Sequence, residues 1–308
     1  MKSVTVNTPA TLSNLCCGFD ILGMALKEPY DIIKLSRSEV PGIRIRHLDD
    51  FGLPTDPQKN IAGVALQSFM FALGMSEGFD VEIEKKIKPG SGIGSSAASA
   101  AGVVVAANYL MGHPFSKKEL LSFAMDGEVL ASGSRHADNL APCIYGGLVL
   151  IRDTASADIV SLDTPELFIT LVHPQIEIKT SYAREILPKE VPLKSAVTQW
   201  ANVAGLVSGF LQKDHALIGR SLKDVIVEPV RSRLIPGYES VKNGCLNAGV
   251  LGGGISGSGP SLFMLSKDLV TAEKAAQVMK NVYDDLKIAY KTYVTTISQT
   301  GVQVVAGD

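Results

Sequence analysis

The segment from Ser95 to Leu110 constrains the fold more than any other part of the chain. It is rich in alanine and valine, carries no charged side chain and follows directly on a glycine-rich turn. A helix that is apolar on every face is stable only when other elements cover nearly all of it. With 308 residues, 46% of them hydrophobic, the chain can supply such a core and has the length of two domains.

Charge and composition argue against several classes of protein. Lys and Arg number 29 against 31 Asp and Glu without a basic run, so we expect no nucleic-acid partner. The longest apolar stretch, 97–111, contains Ser99 and Asn108 and is shorter than the ~20 residues of a membrane span. The N-terminus lacks an apolar signal sequence, and the adjacent Cys16 and Cys17 are too close for a relaxed disulfide. These features predict a reduced, cytoplasmic protein that does not bind membranes.

The first half of the chain predicts a mixed sheet with helices. Alternating or β-branched stretches at 3–8, 30–35, 43–48 and 81–87 are typical of strands. Helical spacing covers 60–73 and 95–110, and a helix over 116–131 begins with a capping box of Ser116 and Glu119. A small, polar and turn-rich segment after residue 153 predicts a domain boundary near residue 160.

The second half alternates helices with strands, which is typical of an α+β sandwich with helices on one face of a sheet. The expected strands are 167–173, 261–265, 290–297 and 302–305, and the expected helices are 181–187, 196–211, 215–223, 238–248 and 271–286. We therefore expect two domains, 1–160 and 161–308.

The strongest local motif is the run Lys88-Pro89-Gly90-Ser91-Gly92-Ile93-Gly94-Ser95-Ser96-Ala97, which joins a strand to the apolar helix. Glycines allow backbone N–H groups to turn toward an anion, and the helix start behind them supplies free donors and a positive dipole. The spacing matches neither a Walker A motif nor a dinucleotide fingerprint. The run predicts a phosphate-binding loop; the alternative is a Gly/Ser turn that only packs tightly against the helix.

A second glycine cluster, 252–260, contains the spacing G-x-G-x-x-G, but a helix precedes it and a strand follows. A dinucleotide site needs the reverse order, so an oxidoreductase is not expected. The cluster predicts either a loop packed closely against a ligand or another backbone, or a bulged entry into the strand.

Two groups of polar residues stand near apolar segments. Glu128 lies on an apolar helix, where a carboxylate either serves as a Mg²⁺ ligand beside bound phosphate or faces solvent. His136, Asp138 and Asn139 crowd before an apolar turn. They either orient a small polar substrate, or the histidine and a carboxylate form a pair with a structural role only.

An amino-acid pocket could form from Asp20 and the later arginines Arg184, Arg231 and Arg233. An arginine fork suits a carboxylate and an aspartate suits an ammonium. Taken singly, each residue is more typical of a surface ion pair, and the sequence alone does not show convergence.

Taken in order, these segments resemble the GHMP superfamily of small-molecule kinases. Segments 8–26, 90–102 and 249–265 are similar to its first motif, phosphate loop and glycine-rich third motif. Segments 136–150, 180–188 and 225–237 are similar to stretches of one of its families, the homoserine kinases. Cys16 and Cys17 depart from the pattern, since the family usually has Gly and Pro or a small residue there.

The resemblance implies a two-domain GHMP kinase fold, with an N-terminal domain like ribosomal protein S5 domain 2 and a ferredoxin-like C-terminal α/β sandwich. It implies transfer of phosphoryl from ATP to the side-chain hydroxyl of L-homoserine, a step of threonine biosynthesis, in a cleft between the domains. A homodimer is the default expectation for such an enzyme.

The resemblance also implies roles for individual residues. Asn60 would lie near adenine, and Ser96 and Glu128 would hold Mg²⁺. The loop residues around the triphosphate would be Pro89, Gly90, Ser91, Gly92, Ile93, Gly94, Ser95, Ser96 and Ala97. Homoserine would contact Asn14, Asp20, His136, Asn139, Arg184 and Arg231, with Thr180 near the transferred phosphoryl. Arg231 matches the family position better than Arg233.

A strong catalytic base is not required, because phosphoryl transfer depends mostly on positioning and charge neutralisation. Some relatives use an aspartate base, but Asn139 stands at that place here. We expect Mg²⁺ and the helix dipole to stabilise the γ-phosphate while the hydroxyl proton goes to phosphate or solvent. Asp138 is the alternative acceptor.

Two other functions remain open. A GHMP kinase for mevalonate or a sugar needs no ammonium site, so Asp20 with two arginines disfavours it. A catalytically silent binding protein on the same fold is disfavoured because the loop and Glu128 are intact.

Overall fold

The computed structural model describes residues 2–307, apart from the side chains of residues 131 and 132. Its strands are β1 (Ser3–Ser13), β2 (Leu22–Ser38), β3 (Gly42–His47), β4 (Gly78–Glu84), β5 (Leu148–Asp153), β6 (Asp158–Leu162), β7 (Phe168–Pro174), β8 (Gly252–Ile255), β9 (Leu262–Ser266), β10 (Tyr290–Thr296) and β11 (Gln303–Gly307).

Helices connect most of these strands. They are α1 (Ile61–Leu73), α2 (Ser95–Leu110), α3 (Lys117–Ser132), α4 (Leu140–Tyr145), α5 (Thr180–Glu185), α6 (Leu193–Gln212), α7 (His215–Ser221), α8 (Glu228–Arg231), α9 (Tyr238–Asn247) and α10 (Leu269–Asp285). The bounds of α2 and the capping box of Ser116 and Glu119 at α3 are as predicted. The sequence predicts a turn at α4 and no helix at α8, because neither is long enough to show a helical period.

Within residues 2–307, seven strands form one sheet in the order β11-β1-β2-β4-β3, with β5 beside β2 and β6 beside β5. Strands β3 and β4 run parallel and the other neighbours antiparallel, which confirms the predicted mixed sheet. A second, antiparallel sheet has the order β10-β7-β9-β8, and α10 packs against it.

Helix α2 lies at the centre of the first half, against α1, α3, α4 and strands β1 and β2. Small side chains allow this close approach. A Cβ on Gly102 would lie 2.3 Å from Thr8 Oγ1 and 2.6 Å from Ile33 Cδ1. The apolar helix is covered on nearly every side, as predicted, and its N-terminus is held at one end of the sheet.

Strand pairing joins the parts of the chain on either side of residue 160, where the domain boundary stays a prediction. Strand β6 crosses that position and pairs with β5, while β11 returns from the C-terminus to pair with β1 in the first sheet. The turn-rich residues before β6 form a hairpin rather than a linker. Leu12 and Leu22 also share one apolar cluster with Phe210 and Phe263, so the two halves pack against each other through a common core.

Serine hydroxyls and one backbone N–H of the second glycine segment donate to backbone carbonyls of the first. The Ser256 hydroxyl donates to the Gly92 carbonyl at 2.7 Å, and the Ser261 hydroxyl donates to the Ser91 carbonyl at 2.6 Å. Of the two alternatives for the second cluster, the loop packed against another backbone is therefore correct. Among the described residues, no helix has both the length and the apolar character needed to cross a membrane.

Substitution of two loop glycines should separate backbone strain from loop contact. Gly90 and Gly92 both have left-handed φ, +73° and +79°. A Cβ on Gly90 meets open space, whereas one on Gly92 would lie 2.6 Å from the Gly259 carbonyl oxygen and 2.8 Å from that of Ser256. We expect Gly90→Ala to lower the free energy of unfolding by about 1 kcal/mol, and Gly92→Ala by at least about 2 kcal/mol more. Urea unfolding measures both, and equal losses would contradict the described contact.

Candidate active site

A cavity of about 310 Å³ opens between three parts of the chain. They are the expected phosphate loop (89–97), the turn that contains Asn14 and Asp20, and α5. Most of the residues singled out in the sequence line it. These are Asn14, Asp20, Pro89, Gly90, Ser91, Gly92, Gly94, Ser95, Ser96, Glu128, His136, Asn139, Thr180, Arg184 and Arg231. Residues that lie more than 200 positions apart in the chain therefore converge on one site.

The phosphate loop presents free donors to this cavity. Gly90, Gly92 and Gly94 all adopt left-handed φ, and no side chain caps the N-terminus of α2. The Ser91 hydroxyl is buried and has no hydrogen-bond partner among the residues that the structure describes. Free N–H groups, a helix dipole and an unpaired hydroxyl together suit a bound phosphate.

Three of the expected nucleotide-binding residues lie outside the cavity lining, namely Asn60, Ile93 and Ala97. Asn60 caps α1: its Oδ1 accepts from the N–H of Ala62 at 2.9 Å, and its Nδ2 donates to the Pro54 carbonyl at 2.6 Å. Its amide is thus committed to the fold. Ile61, the next residue, and Leu53, seven positions earlier, line the cavity.

Glu128 and Ser96 form the pair of oxygen donors expected for a metal. Burial raises the pKa of the Glu128 carboxyl to about 7, against a lowering by the Ser96 hydrogen bond. Burial makes this carboxyl costly to ionise, and a nearby cation would stabilise its ionised form. The donor set of one carboxylate and one hydroxyl beside a phosphate loop fits Mg²⁺.

Asn139 and Asp138 are held by β1. Asn139 accepts from the Thr11 hydroxyl at 2.7 Å and donates from Nδ2 to Ser13 Oγ at 3.0 Å. Asp138 is buried, and desolvation followed by the charge of Asp20 raises its pKa to about 6, although a hydrogen bond from Ser13 lowers it. Asp138 also lines the cavity.

The opposite wall carries the charges expected for an amino acid. Arg184 makes a two-pronged ion pair with Asp20, its Nη1 and Nη2 lying 3.0 and 2.8 Å from the two carboxylate oxygens. Arg231 is buried and donates to the carbonyls of Ala183 and Gly257, each at 2.9 Å. Arg233 is exposed and lies outside the lining, so Arg231 is the arginine that the fold directs to the site.

The Asn14 turn and His136 complete this wall. Asn14 donates to the Gly257 carbonyl at 3.0 Å and accepts from the Asp20 N–H at 3.1 Å. Burial and then Arg184 lower the pKa of His136, so its ring is neutral near pH 7. Thr180, at the start of α5, lies 3.3 Å from the Ser258 hydroxyl of the second glycine loop.

Comparison with known proteins assigns this arrangement to a family. The models for the N-terminal and C-terminal domains of GHMP kinases match residues 60–147 and 206–285. The homoserine kinase of Chloroherpeton thalassium is 47% identical over 296 residues, which cover 92% of this chain and 93% of that protein. The crystal structure of homoserine kinase from Cytophaga hutchinsonii is 48% identical and superposes with a TM-score of 0.96 over 99% and 98% of the two chains. The chain belongs to the homoserine kinase family of GHMP kinases.

More distant GHMP kinases share the fold. A crystal structure of L. major mevalonate kinase in complex with R-mevalonate has a TM-score of 0.74 at 16% identity, over 96% of this chain and 95% of that one. At this identity the likeness concerns the fold alone. The family matches and these superpositions confirm the predicted α+β, two-domain GHMP kinase fold.

Lys85 is one of the lining residues that the sequence did not identify as part of the site. Lys85, at the end of β4, is buried and forms an ion pair with Asp31 of β2. Its ammonium also donates to the Ser95 carbonyl at 2.6 Å and to the Ser99 hydroxyl at 3.0 Å. The first turn of α2 is thereby tied to two strands. A single lysine in a lysine-rich stretch gives no local signal of such burial.

The two cysteines that depart from the family pattern are buried beneath this site. Cys16 has a left-handed φ of 65°, a backbone conformation that glycine adopts more readily than cysteine. Burial raises the pKa of Cys17 to about 12, and that of Cys16 is also raised. Both are thiols rather than reactive thiolates at neutral pH.

The raised pKa of Asp138 should appear in the stability of this homoserine kinase family member. An acid whose pKa is higher in the folded state destabilises the fold as pH rises from its unfolded value through about 6. Asp138→Asn removes that cost. Its free energy of unfolding, relative to the parent, should rise by about 1–3 kcal/mol between about pH 4 and about pH 7.5.

Asp153→Asn is the control. Hydrogen bonds from Ser156 and Ala155 lower the pKa of Asp153 below its ordinary value, so its carboxyl is ionised in both the folded and the unfolded state above about pH 5. The stability of this variant relative to the parent should therefore stay nearly constant from there to about pH 7.5. Urea unfolding across this pH range measures both variants. A stability difference for Asp138→Asn that is constant with pH would contradict the raised pKa.

Proposed function

We propose that this protein transfers the γ-phosphoryl group of ATP to the side-chain hydroxyl of L-homoserine and forms O-phospho-L-homoserine, a step toward threonine. The observation that carries the proposal is the single cavity that joins an uncapped helix N-terminus and phosphate loop to an Asp20 and Arg184 pair. The names of the relatives at 40–47% identity support the same substrate.

The nucleotide would lie with its phosphates along the loop 89–97. The N–H groups at the start of α2 and the Ser91 hydroxyl donate to phosphate oxygens, and Lys85 keeps that helix end in place. Ser96 and Glu128 would hold Mg²⁺, which neutralises charge on the transferred phosphoryl when it is bound. The adenine would lie beside Leu53 and Ile61, since Asn60 is committed to capping α1.

Homoserine would lie on the opposite wall. Its ammonium faces Asp20, and its carboxylate faces the guanidinium groups of Arg184 and Arg231. Asn14, His136 and Asn139 orient the backbone end of the substrate, and Thr180 lies near the transferred phosphoryl. A mevalonate or sugar has no ammonium for the Asp20 site, so this wall favours an amino acid.

The reaction proceeds by positioning and charge stabilisation. Asn139 has no carboxylate, and both ends of its amide are bonded to Thr11 and Ser13. Asn139 therefore accepts no proton, and the hydroxyl proton goes to phosphate or solvent. The helix N-terminus stabilises the charge that develops on the phosphoryl oxygens. The homodimer and the cytoplasmic location stay predictions.

Release of ADP in a coupled assay tests this function. With Mg-ATP and, separately, L-homoserine, mevalonate, galactose and L-serine, we expect turnover with homoserine only. Glu128→Gln should lower turnover at least about 100-fold, because the neutral amide is a poor Mg²⁺ ligand. Glu190→Gln, an exposed carboxylate outside the cavity, should match the parent.

Each other outcome has a definite meaning. Turnover with another acceptor would contradict homoserine as the substrate but agree with a kinase. No turnover with any of the four acceptors would favour a binding protein. Asp138→Asn in the same assay tests the proton route: turnover within about tenfold of the parent agrees with it. Lost turnover with intact homoserine binding would make Asp138 the base.

A further inference from the structure

Phe19 lies against both arginines of the substrate wall. The guanidinium carbons of Arg184 and Arg231 are each 5.2 Å from the centroid of its ring. This distance is within the range of a cation–π interaction. Phe19 also lines the cavity, yet no step of the proposed reaction uses it.

The arginines need such a partner because they repel each other. Burial and then the charge of Arg184 lower the pKa of Arg231 to about 10. Asp20 pairs with Arg184 directly, whereas Arg231 donates hydrogen bonds to the neutral carbonyl groups of Ala183 and Gly257. The negative face of an aromatic ring attracts both guanidinium groups and carries no charge that would compete for the substrate ammonium.

Hydrogen bonds and an unusual backbone conformation fix the turn that carries Phe19. The Gly18 N–H donates to the Asn14 carbonyl at 2.8 Å, and the Asp20 N–H donates to Asn14 Oδ1 at 3.1 Å. Asn14, Leu15, Cys16 and Asp20 all have positive φ, so the turn has little freedom to adopt another shape. The backbone from which the ring projects therefore has a set position relative to Asp20.

We propose that Phe19 is a positioning residue, which sets the spacing of the Arg184 and Arg231 guanidinium groups and so selects acceptors that carry a carboxylate. This inference rests on the proposed function. It assigns substrate selectivity to an aromatic side chain that has no polar contact with the substrate.

Kinetic constants of three variants test the proposal. Phe19→Leu keeps an apolar side chain but removes the ring face, Phe19→Tyr keeps the ring, and Phe71→Leu makes the same change at a site 90% exposed on α1. Phe19→Leu should raise the KM for homoserine about tenfold, with kcat and the KM for ATP changed less than about twofold. Phe19→Tyr should recover most of the loss, and Phe71→Leu should match the parent.

A second acceptor separates positioning from general damage. 3-Aminopropan-1-ol is homoserine without its carboxylate, so Phe19→Leu and the parent should use it equally well. An unchanged KM for homoserine, an equal loss with both acceptors, or a Phe19→Tyr variant as impaired as Phe19→Leu would each overturn the proposal.

The proposal can also be tested when the parent does not phosphorylate homoserine. In that case the ¹H–¹⁵N spectrum of the arginine side chains reports the contact without substrate. Ring-current shifts of the Arg184 and Arg231 Nε–H signals should vanish in Phe19→Leu and persist in Phe19→Tyr. Parent signals without such shifts would refute the Phe19 contact itself, whereas absent turnover alone refutes only the proposed function.

Discussion

The contact between the two glycine segments is the constraint on which the rest of the site depends. Gly92 approaches Gly259 and Ser256 so closely that no side chain fits between them, and the hydroxyls of Ser256 and Ser261 bond the loop backbone. The loop from one half of the chain is thus shaped by a loop from the other. Asn14 and Arg231 both donate to the Gly257 carbonyl, so the substrate wall is attached to the same contact.

The charges of the site are arranged before any ligand binds. Lys85 is neutralised by Asp31 and holds the start of α2, whereas the carboxyls of Glu128 and Asp138 are buried with raised pKa values. Groups whose ionisation is costly in the free protein gain most when a cation or an ammonium arrives. A bound ligand of positive charge would therefore lower the free-energy cost of ionising these two carboxyls.

Local patterns allowed much of this to be predicted, and distant contacts explain the rest. The bounds of α2 and the capping box at α3 depend on neighbouring residues, so the sequence shows them directly. The pairing of β11 with β1 and of Lys85 with Asp31 joins residues far apart in the chain, and no local pattern indicates either. The place of Asn60 near the adenine stays a prediction, because a good N-cap residue looks the same in sequence as a ligand-binding amide.

The most direct test of the account is a crystal structure of the protein with Mg-ADP and L-homoserine. We expect the phosphates along 89–97, the cation between Ser96 and Glu128, and the homoserine carboxylate at Arg184 and Arg231 with its ammonium at Asp20. A nucleotide bound elsewhere, or a homoserine whose hydroxyl points away from the phosphates, would contradict it.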